Sequence, residues 1–490
     1  MSIFNRVKTT LRTNNHEGRQ AFAQHPETEL ISLLLTSFLQ DQFYRNRQGQ
    51  YDRIVELLAT VEPEFAAKAA IFARREYGMR TITHVLAAHL APRAAGKSWA
   101  KRFYDRVVFR PDDMLEITAL LRQLGVKHLP NAVRRGFAAS FDRFDGYQLA
   151  KYRKQGADVA LVDLVNLVHP VPTKRNARAL QQLVNGTLRN TRTWEAKLSA
   201  AGQADDPTAV QTAKSEAWTD LLTSGRIGYF ALVRNLRNIV QTAPELAERA
   251  AELLTDARRV RESKVLPFRL LTADQELAKL DQVDTGALRT VRAGLDDAIA
   301  LSFANLPVLE NTLVAVDNSG SMNWTQLGKS GVKLSEIGAL FGLALVRRSN
   351  ADLMEFGDRA RYLKFSLRDG PLQFARTFSE RNKVGHGTNF QAIFRQAAER
   401  PYDRIVILSD MQSGLHDDTA AAVLAEYRRR SGANPWVYAI DLAGYGKAFF
   451  PTGKHRVVEL AGFSEKLFEL IGTLEQDREA LVRRVRRVEL

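Results

Sequence analysis

At 490 residues the chain is too long for one typical core and points to two or three domains. Its 70 Lys and Arg against 55 Asp and Glu give a formal charge of +15, which favours a polyanionic partner such as nucleic acid or an anionic membrane. The absence of cysteine excludes disulfides, thiolate metal sites and cysteine nucleophiles. The first residues lack an apolar signal core and no apolar run is long enough to span a bilayer, so the expected location is cytoplasmic.

Residues 1 to 26 are polar and are expected to be loosely ordered. From there to 305 apolar residues recur at helical spacing, as with Leu30, Leu33, Leu34 and Phe38. Further helices are expected near 51–61, 64–77, 81–91, 97–108, 112–124, 130–141, 145–154, 158–168, 176–188, 207–223, 227–241, 245–263 and 285–304. Strand-like alternation is missing. Short helices in succession suggest antiparallel pairs stacked as a solenoid, although no strict motif repeats and an irregular helical domain is the alternative.

Beyond 305 the rhythm changes to strands near 311–317, 351–357, 360–366, 403–409, 435–441 and 455–460. Helices near 334–349, 371–381, 389–400, 417–431 and 464–475 separate or follow them, the pattern of a doubly wound, Rossmann-like α/β sheet. The expected division is therefore a helical domain at 1–305 and an α/β domain at 306–490. The second part holds 26 basic and 22 acidic residues (+4), leaving 44 and 33 (+11) upstream. From 477 onward the chain reads as a basic helix with Arg483, Arg484, Arg486 and Arg487, a solvated face with an RNA contact as the alternative.

Chemistry concentrates at strand ends. Leu313-Val314-Ala315-Val316 reads as a buried strand that runs into Asp317, Ser319 and Ser321 at alternate positions around a glycine. Thr388 follows in a glycine turn, and Asp410 ends the apolar run from Ile405 to Leu408. In an open α/β sheet, ligand groups gather at the carboxyl ends of parallel strands. A donor set made only of oxygen suits a hard divalent cation, Mg²⁺ first, with Ca²⁺ or Mn²⁺ as alternatives. A capped helix start is the plainer reading of Asp317-x-Ser-x-Ser taken alone. Together the three stretches resemble the metal-ion-dependent adhesion site (MIDAS) of von Willebrand A domains.

Upstream, Leu232-Val233-Arg234-Asn235-Leu236-Arg237-Asn238-Ile239 is similar to the L-L-R-N-L-R-N helix of the TROVE module of the Ro autoantigen family. Lys151-Tyr152-Arg153-Lys154, with Asp163-Leu164 and His169-Pro170, is similar to its K-Y-K-x-R…L-x-x-x-H-P element, though about one residue shorter. The resemblance implies a ribonucleoprotein: a ring of HEAT-like helical repeats whose ends an A-domain bridges. It further implies a small noncoding Y RNA on the outer surface, single-stranded ends of misfolded RNAs in the central hole, and a role in RNA quality control. Lys151, Arg153, Lys154 and His169 match the outer element, and Arg234 and Arg237 are assigned to the hole. The plainer readings are a solvated helix face for the lysines, a helix cap for His169, and ion-pair partners for the two arginines.

An exoribonuclease could dock on the cation, as in bacterial Ro complexes, and neither DNA nor a membrane is expected as partner. No activated nucleophile or positioned base accompanies the metal motifs, so enzymatic activity is not expected. The alternative reading is a metal-dependent interaction scaffold without RNA, such as an A-domain partner of an AAA+ ATPase.

Overall fold

The structure is a computed structural model. It describes residues 12–14, 20–23, 25–36, 47–153, 159–189, 201–202, 206–225, 227–263, 265, 267–326, 331–349, 351–364, 369–412, 420–445, 447–448, 456–461 and 480–490, with 198, 471 and 475. Two compact units emerge, and they do not follow the linear division at 305. One comprises Pro26–Leu39, Arg47–Ala200 and Leu481–Leu490; the other comprises Met1–His25, Gln40–Asn46 and Ala201–Ala480.

The first unit is helical, as expected from the periodicity. Ala66, Ala67, Ala69, Ala70 and Ala73 are all buried in the helix Pro63–Glu76, so several neighbours can approach its backbone. The helices Ala100–Val107 and Asn131–Ser140 touch at Gly136, where a Cβ would collide with Tyr104 and the backbone beneath it. Asp113, with no exposed surface, is the electrostatic centre of this unit. It accepts from Arg74 at 2.9 Å, Arg80 at 3.1 Å and His84 at 3.0 Å, and from the backbone N–H groups of Phe109 and Arg110. Burial alone would raise its pKa, but the His84 hydrogen bond and the Arg74 charge outweigh burial and hold it below the ordinary carboxylate range.

Residues 481–490 belong to this same unit, and the expected basic helix is present with Arg483, Arg486 and Arg487 exposed, although Arg484 and Arg486 also make contacts within the unit. Arg486 pairs with Glu27 at 2.9 Å, Lys68 donates to the Arg486 carbonyl at 3.1 Å, and Arg106 donates to the Glu489 carbonyl at 2.7 Å. The guanidinium groups of Arg484 and Arg486 lie over the rings of Phe72 and Phe65, so the stems and planar heads of these arginines pack rather than dangle.

The second unit begins with a surprise. Residues expected to be loose form β1 (Arg12–Asn14) and β2 (Gln20–Ala23), an antiparallel pair extended by a distant β8 (Lys447–Ala448). Strands this short carry no readable alternation. Helices follow at Pro207–Thr223, Tyr229–Thr242, Ala247–Leu254, Ala257–Ser263, Pro267–Leu277 and Thr285–Ser302. The helix expected at 245–263 is two, because Asp256 accepts from the N–H groups of Arg258 and Arg259 and starts a new one. The helix Pro267–Leu277 was not expected at all. Its apolar stripe is interrupted by Asp274, which is buried and paired with Arg292 at 2.6 Å and with Arg376.

The main sheet holds β3 (Thr312–Asp317), β4 (Asp352–Phe356), β5 (Ala360–Tyr362), β6 (Arg404–Ser409), β7 (Trp436–Asp441) and β9 (Val457–Ala461). Their order is β5-β4-β3-β6-β7-β9, parallel throughout except for the edge strand β5. The helix Leu334–Ser349 is buried on nearly all sides. Gly342 lets it approach the sheet so closely that a Cβ would meet Val316. The helix expected near 464–475 lies largely outside the described residues. Among the described residues no helix is long and apolar enough to cross a membrane.

Candidate metal centre and nucleic-acid surface

β3 and β6 are hydrogen-bonded neighbours at the middle of the sheet, so the loops after them open side by side. That adjacency brings Asp317 and Asp410 together, both without exposed surface. The Ser319 N–H donates to Asp317 Oδ1 at 2.8 Å and the Ser409 hydroxyl donates to Oδ2 at 2.5 Å. The hydroxyls of Ser319 and Ser321 are 3.3 Å apart, and both residues are buried. Asp410 Oδ1 accepts from the Gln412 N–H at 3.2 Å, whereas its Oδ2 is buried without a hydrogen-bond partner.

The third loop is tied to the first by the Gly320 N–H, which donates to the His386 carbonyl at 2.8 Å. Thr388 is buried here, and Asn389 caps the helix Phe390–Gln396 by accepting from Gln391 and Ala392 N–H. His386 is exposed. Gly385 takes φ +92°, and a Cβ there would collide with the Asp358 carboxylate, so this turn requires glycine.

Three asparagines brace the loops. Asn323 Nδ2 donates to the Asn318 side chain at 2.7 Å and its Oδ1 accepts from Ser335 and Ser379. Asn382 Nδ2 donates to the carbonyls of Asn318 and Gly385, while its Oδ1 accepts from Val384 and Gly385 N–H.

Burial pushes the Asp317 carboxyl up to about 6, with the Ser409 and Ser319 hydrogen bonds offsetting part of the effect. Asp410 is raised well above the ordinary range, first by burial and then by the charge of Asp317. Asp441, at the end of β7, adds to that repulsion while its own Oδ1 accepts from Ala443 and Gly444 N–H. Among the described residues no lysine or arginine pairs with Asp317 or Asp410. Among the described residues no group of three or more His, Asp or Glu surrounds one point there, and the oxygen groups at this sheet end are two carboxylates and three hydroxyls. An uncompensated buried pair of acceptors with one orphaned oxygen is what a hard cation would satisfy.

The residues assigned to RNA are placed very differently. Lys151 ends the helix Gly146–Lys151, half-buried, with its ammonium 5.8 Å from the Tyr152 ring; Arg110 stacks over that ring at 4.5 Å. The Arg153 guanidinium donates to the Leu188 carbonyl and so holds a neighbouring segment. Lys154 lies outside the described residues. His169 does cap the helix Leu161–Val168, in a left-handed conformation (φ 49°) with its N–H donating to Val165, and its ring remains exposed. Arg234 and Arg237 stand exposed on the helix Tyr229–Thr242, opposite Leu232, Leu236 and Ile239. Among the described residues neither has a carboxylate partner. Arg269 is near: burial and then the charge of Arg234 lower its pKa.

The TROVE domain family matches residues 36–205 and 186–288, and the Ro60 vWA domain matches 311–474. The chain belongs to the TROVE-domain Ro family. Its fold is similar to the crystal structure of the Deinococcus radiodurans RO (RSR) protein, with TM-score 0.60 and 18% identity over 90% of this chain and 97% of that one. It is also similar to telomerase protein component 1 of Mus musculus (23% identical) and Rattus norvegicus (22%), over 46% of this chain. It spans only 12% of the length of those relatives. Membership in the Ro family points to RNA as the partner.

Within this Ro-family chain the structure gathers Asp317, Ser319, Ser321, Thr388 and Asp410 at one end of one sheet. Sequence reading missed Ser409, Asn323, Asn382 and Asp441. Ser409 and Asp441 had a signal, since both stand at the end of an apolar strand run. The asparagines had none, because ordinary loop asparagines look the same.

Proposed function

We propose that this chain is a non-catalytic RNA-binding protein of RNA quality control that also holds one divalent cation. A structured, Y RNA-like molecule binds the surface around Lys151, Lys154 and His169. Single-stranded RNA ends bind along Arg234 and Arg237, with Arg269 as a third cation. The observation that supports this reading, beside family membership, is that Arg234 and Arg237 project exposed from one helix face, with no carboxylate partner among the described residues. Uncompensated guanidinium groups attract phosphate regardless of sequence, and aromatic rings such as Tyr152 supply stacking.

Asp317, Ser319, Ser321, Thr388 and Asp410 would hold the cation, Mg²⁺ first among the hard ions, directly or through water. When bound it supplies an open coordination position for an acidic side chain of a protein partner, an exoribonuclease being the one this reading favours. The proposed location is the cytoplasm.

Two experiments test the reading. Reversing Lys151 and Lys154 to Glu should weaken a structured small RNA strongly and a short single strand much less, at one fixed salt concentration with circular dichroism confirming the fold. Equal loss for both RNAs would overturn the two-surface arrangement. Asp317→Ala should abolish the thermal stabilisation that Mg²⁺ gives, and equal stabilisation in the variant would dismiss the metal centre.

A further inference from the structure

A cavity of about 240 Å³ opens in the helical unit between residues 481–490 and two helices, Pro63–Glu76 and Ala100–Val107. That is far more than the ~10–15 Å³ one water needs. Its wall carries four guanidinium groups, Arg75, Arg106, Arg484 and Arg487, against one carboxylate, Glu76. Ile71, Phe72 and Val488 form an apolar floor.

The charges are poorly compensated. Arg484 stands 3.9 Å from Glu76, beyond hydrogen-bond reach, and Arg106 stands 3.5 Å from the Glu489 carboxylate while donating to that residue's carbonyl. Arg75 gives its Nε–H to the Arg106 carbonyl, and neither Arg75 nor Arg487 has a carboxylate partner among the described residues. Burial, followed by the charges of Arg143 and Arg106, lowers the Arg75 pKa, and the Asp105 charge offsets only part of the shift. None of Lys151, His169, Arg234 or Arg237 lines the cavity.

We propose that this cavity is a second ligand site, which takes the phosphate ester of a nucleotide between Arg75, Arg106, Arg484 and Arg487. Guanidinium forks match phosphate oxygens in pairs, and the apolar floor gives the attached sugar and base a surface that a bare oxyanion would leave unused. Two of the arginines come from residues 481–490 and two from helices hundreds of positions earlier. A phosphate among them therefore joins the two segments, and binding stabilises their docking by mass action.

The test uses the full chain with uridine 5′-monophosphate, inorganic phosphate and an oligouridylate with hydroxyl ends, all at one ionic strength. The nucleotide should bind and raise the melting temperature, and R75Q/R487Q should lower its affinity by about tenfold per arginine. R258Q/R429Q, which removes the same charge at two exposed positions elsewhere, should leave affinity unchanged. Arg487 is exposed, so R487Q alone gives a folded variant with half the expected effect should the double variant unfold. Displacement of the nucleotide by the oligouridylate identifies an RNA chain as the occupant, and failure to displace it identifies the free nucleotide; either supports the site. Inorganic phosphate binding as tightly as the nucleotide, or equal losses in the two double variants, overturns it.

Discussion

Asp113 in the helical unit and the Asp317–Asp410 pair in the sheet are equally buried, and their surroundings are opposite. Asp113 sits among Arg74, Arg80 and His84, so its charge is answered from three sides. Asp317 and Asp410 face each other with hydroxyls and backbone N–H groups but no cationic partner among the described residues. Burial alone is therefore no sign of function. A buried carboxylate whose counter-charges come from the chain is part of the framework, and one that lacks them is a candidate for a ligand site.

The largest effect should come from breaking the compensated group. Asp113→Ala leaves Arg74 buried without its anion and should cost about 3–5 kcal/mol, read by urea unfolding followed by circular dichroism. A loss below about 1 kcal/mol, the value of an exposed pair, would erase the contrast.

The uncompensated pair should respond with the opposite sign. The Asp317 carboxyl is raised from 3.8 to about 6, so the folded state holds its proton more tightly than the unfolded chain. Cation-free stability should accordingly be fullest below the unfolded value and fall as pH climbs through 6, by up to about 3 kcal/mol. Thermal melts in chelator from pH 4 to pH 8 should show the fall, Mg²⁺ should remove it, and Asp410→Asn should shrink it. A flat profile in chelator would show that burial does not raise the Asp317 carboxyl. Asp113, held below the ordinary range, contributes stability above its unfolded pKa that is lost only at more acid pH.

Smaller effects separate the metal centre from the RNA surface. Arg237→Ala should lower the slope of log affinity against log salt for a single-stranded RNA by about one. An unchanged slope would remove that arginine from the phosphate contacts. Smallest of all, chelating divalent ions should leave RNA affinity within about twofold, because among the described residues the two sets share no contact partner and independent sites act additively. Loss of RNA binding in chelator, with the fold intact, would join the two sites into one.

The sequence by itself determined the element types over most of the chain and the grouping of Asp317, Ser319 and Ser321 at a strand end. Both are encoded locally: helical spacing repeats within a turn or two, and Asp317, Ser319 and Ser321 fall within five residues at the end of an apolar run. The adjacency of β3 and β6 then followed from the way parallel sheets are wound. Tertiary structure alone decided which charges are answered. Asp274 broke an apolar stripe and hid a helix, because its partners Arg292 and Arg376 stand 18 and 102 positions away. The contacts of Arg484 and Arg486 were not legible because their partners Phe72, Phe65 and Glu27 lie more than 400 residues earlier. Periodicity records whether a side chain is buried, whereas the partner that neutralises it is chosen by the fold across distances that no local pattern spans.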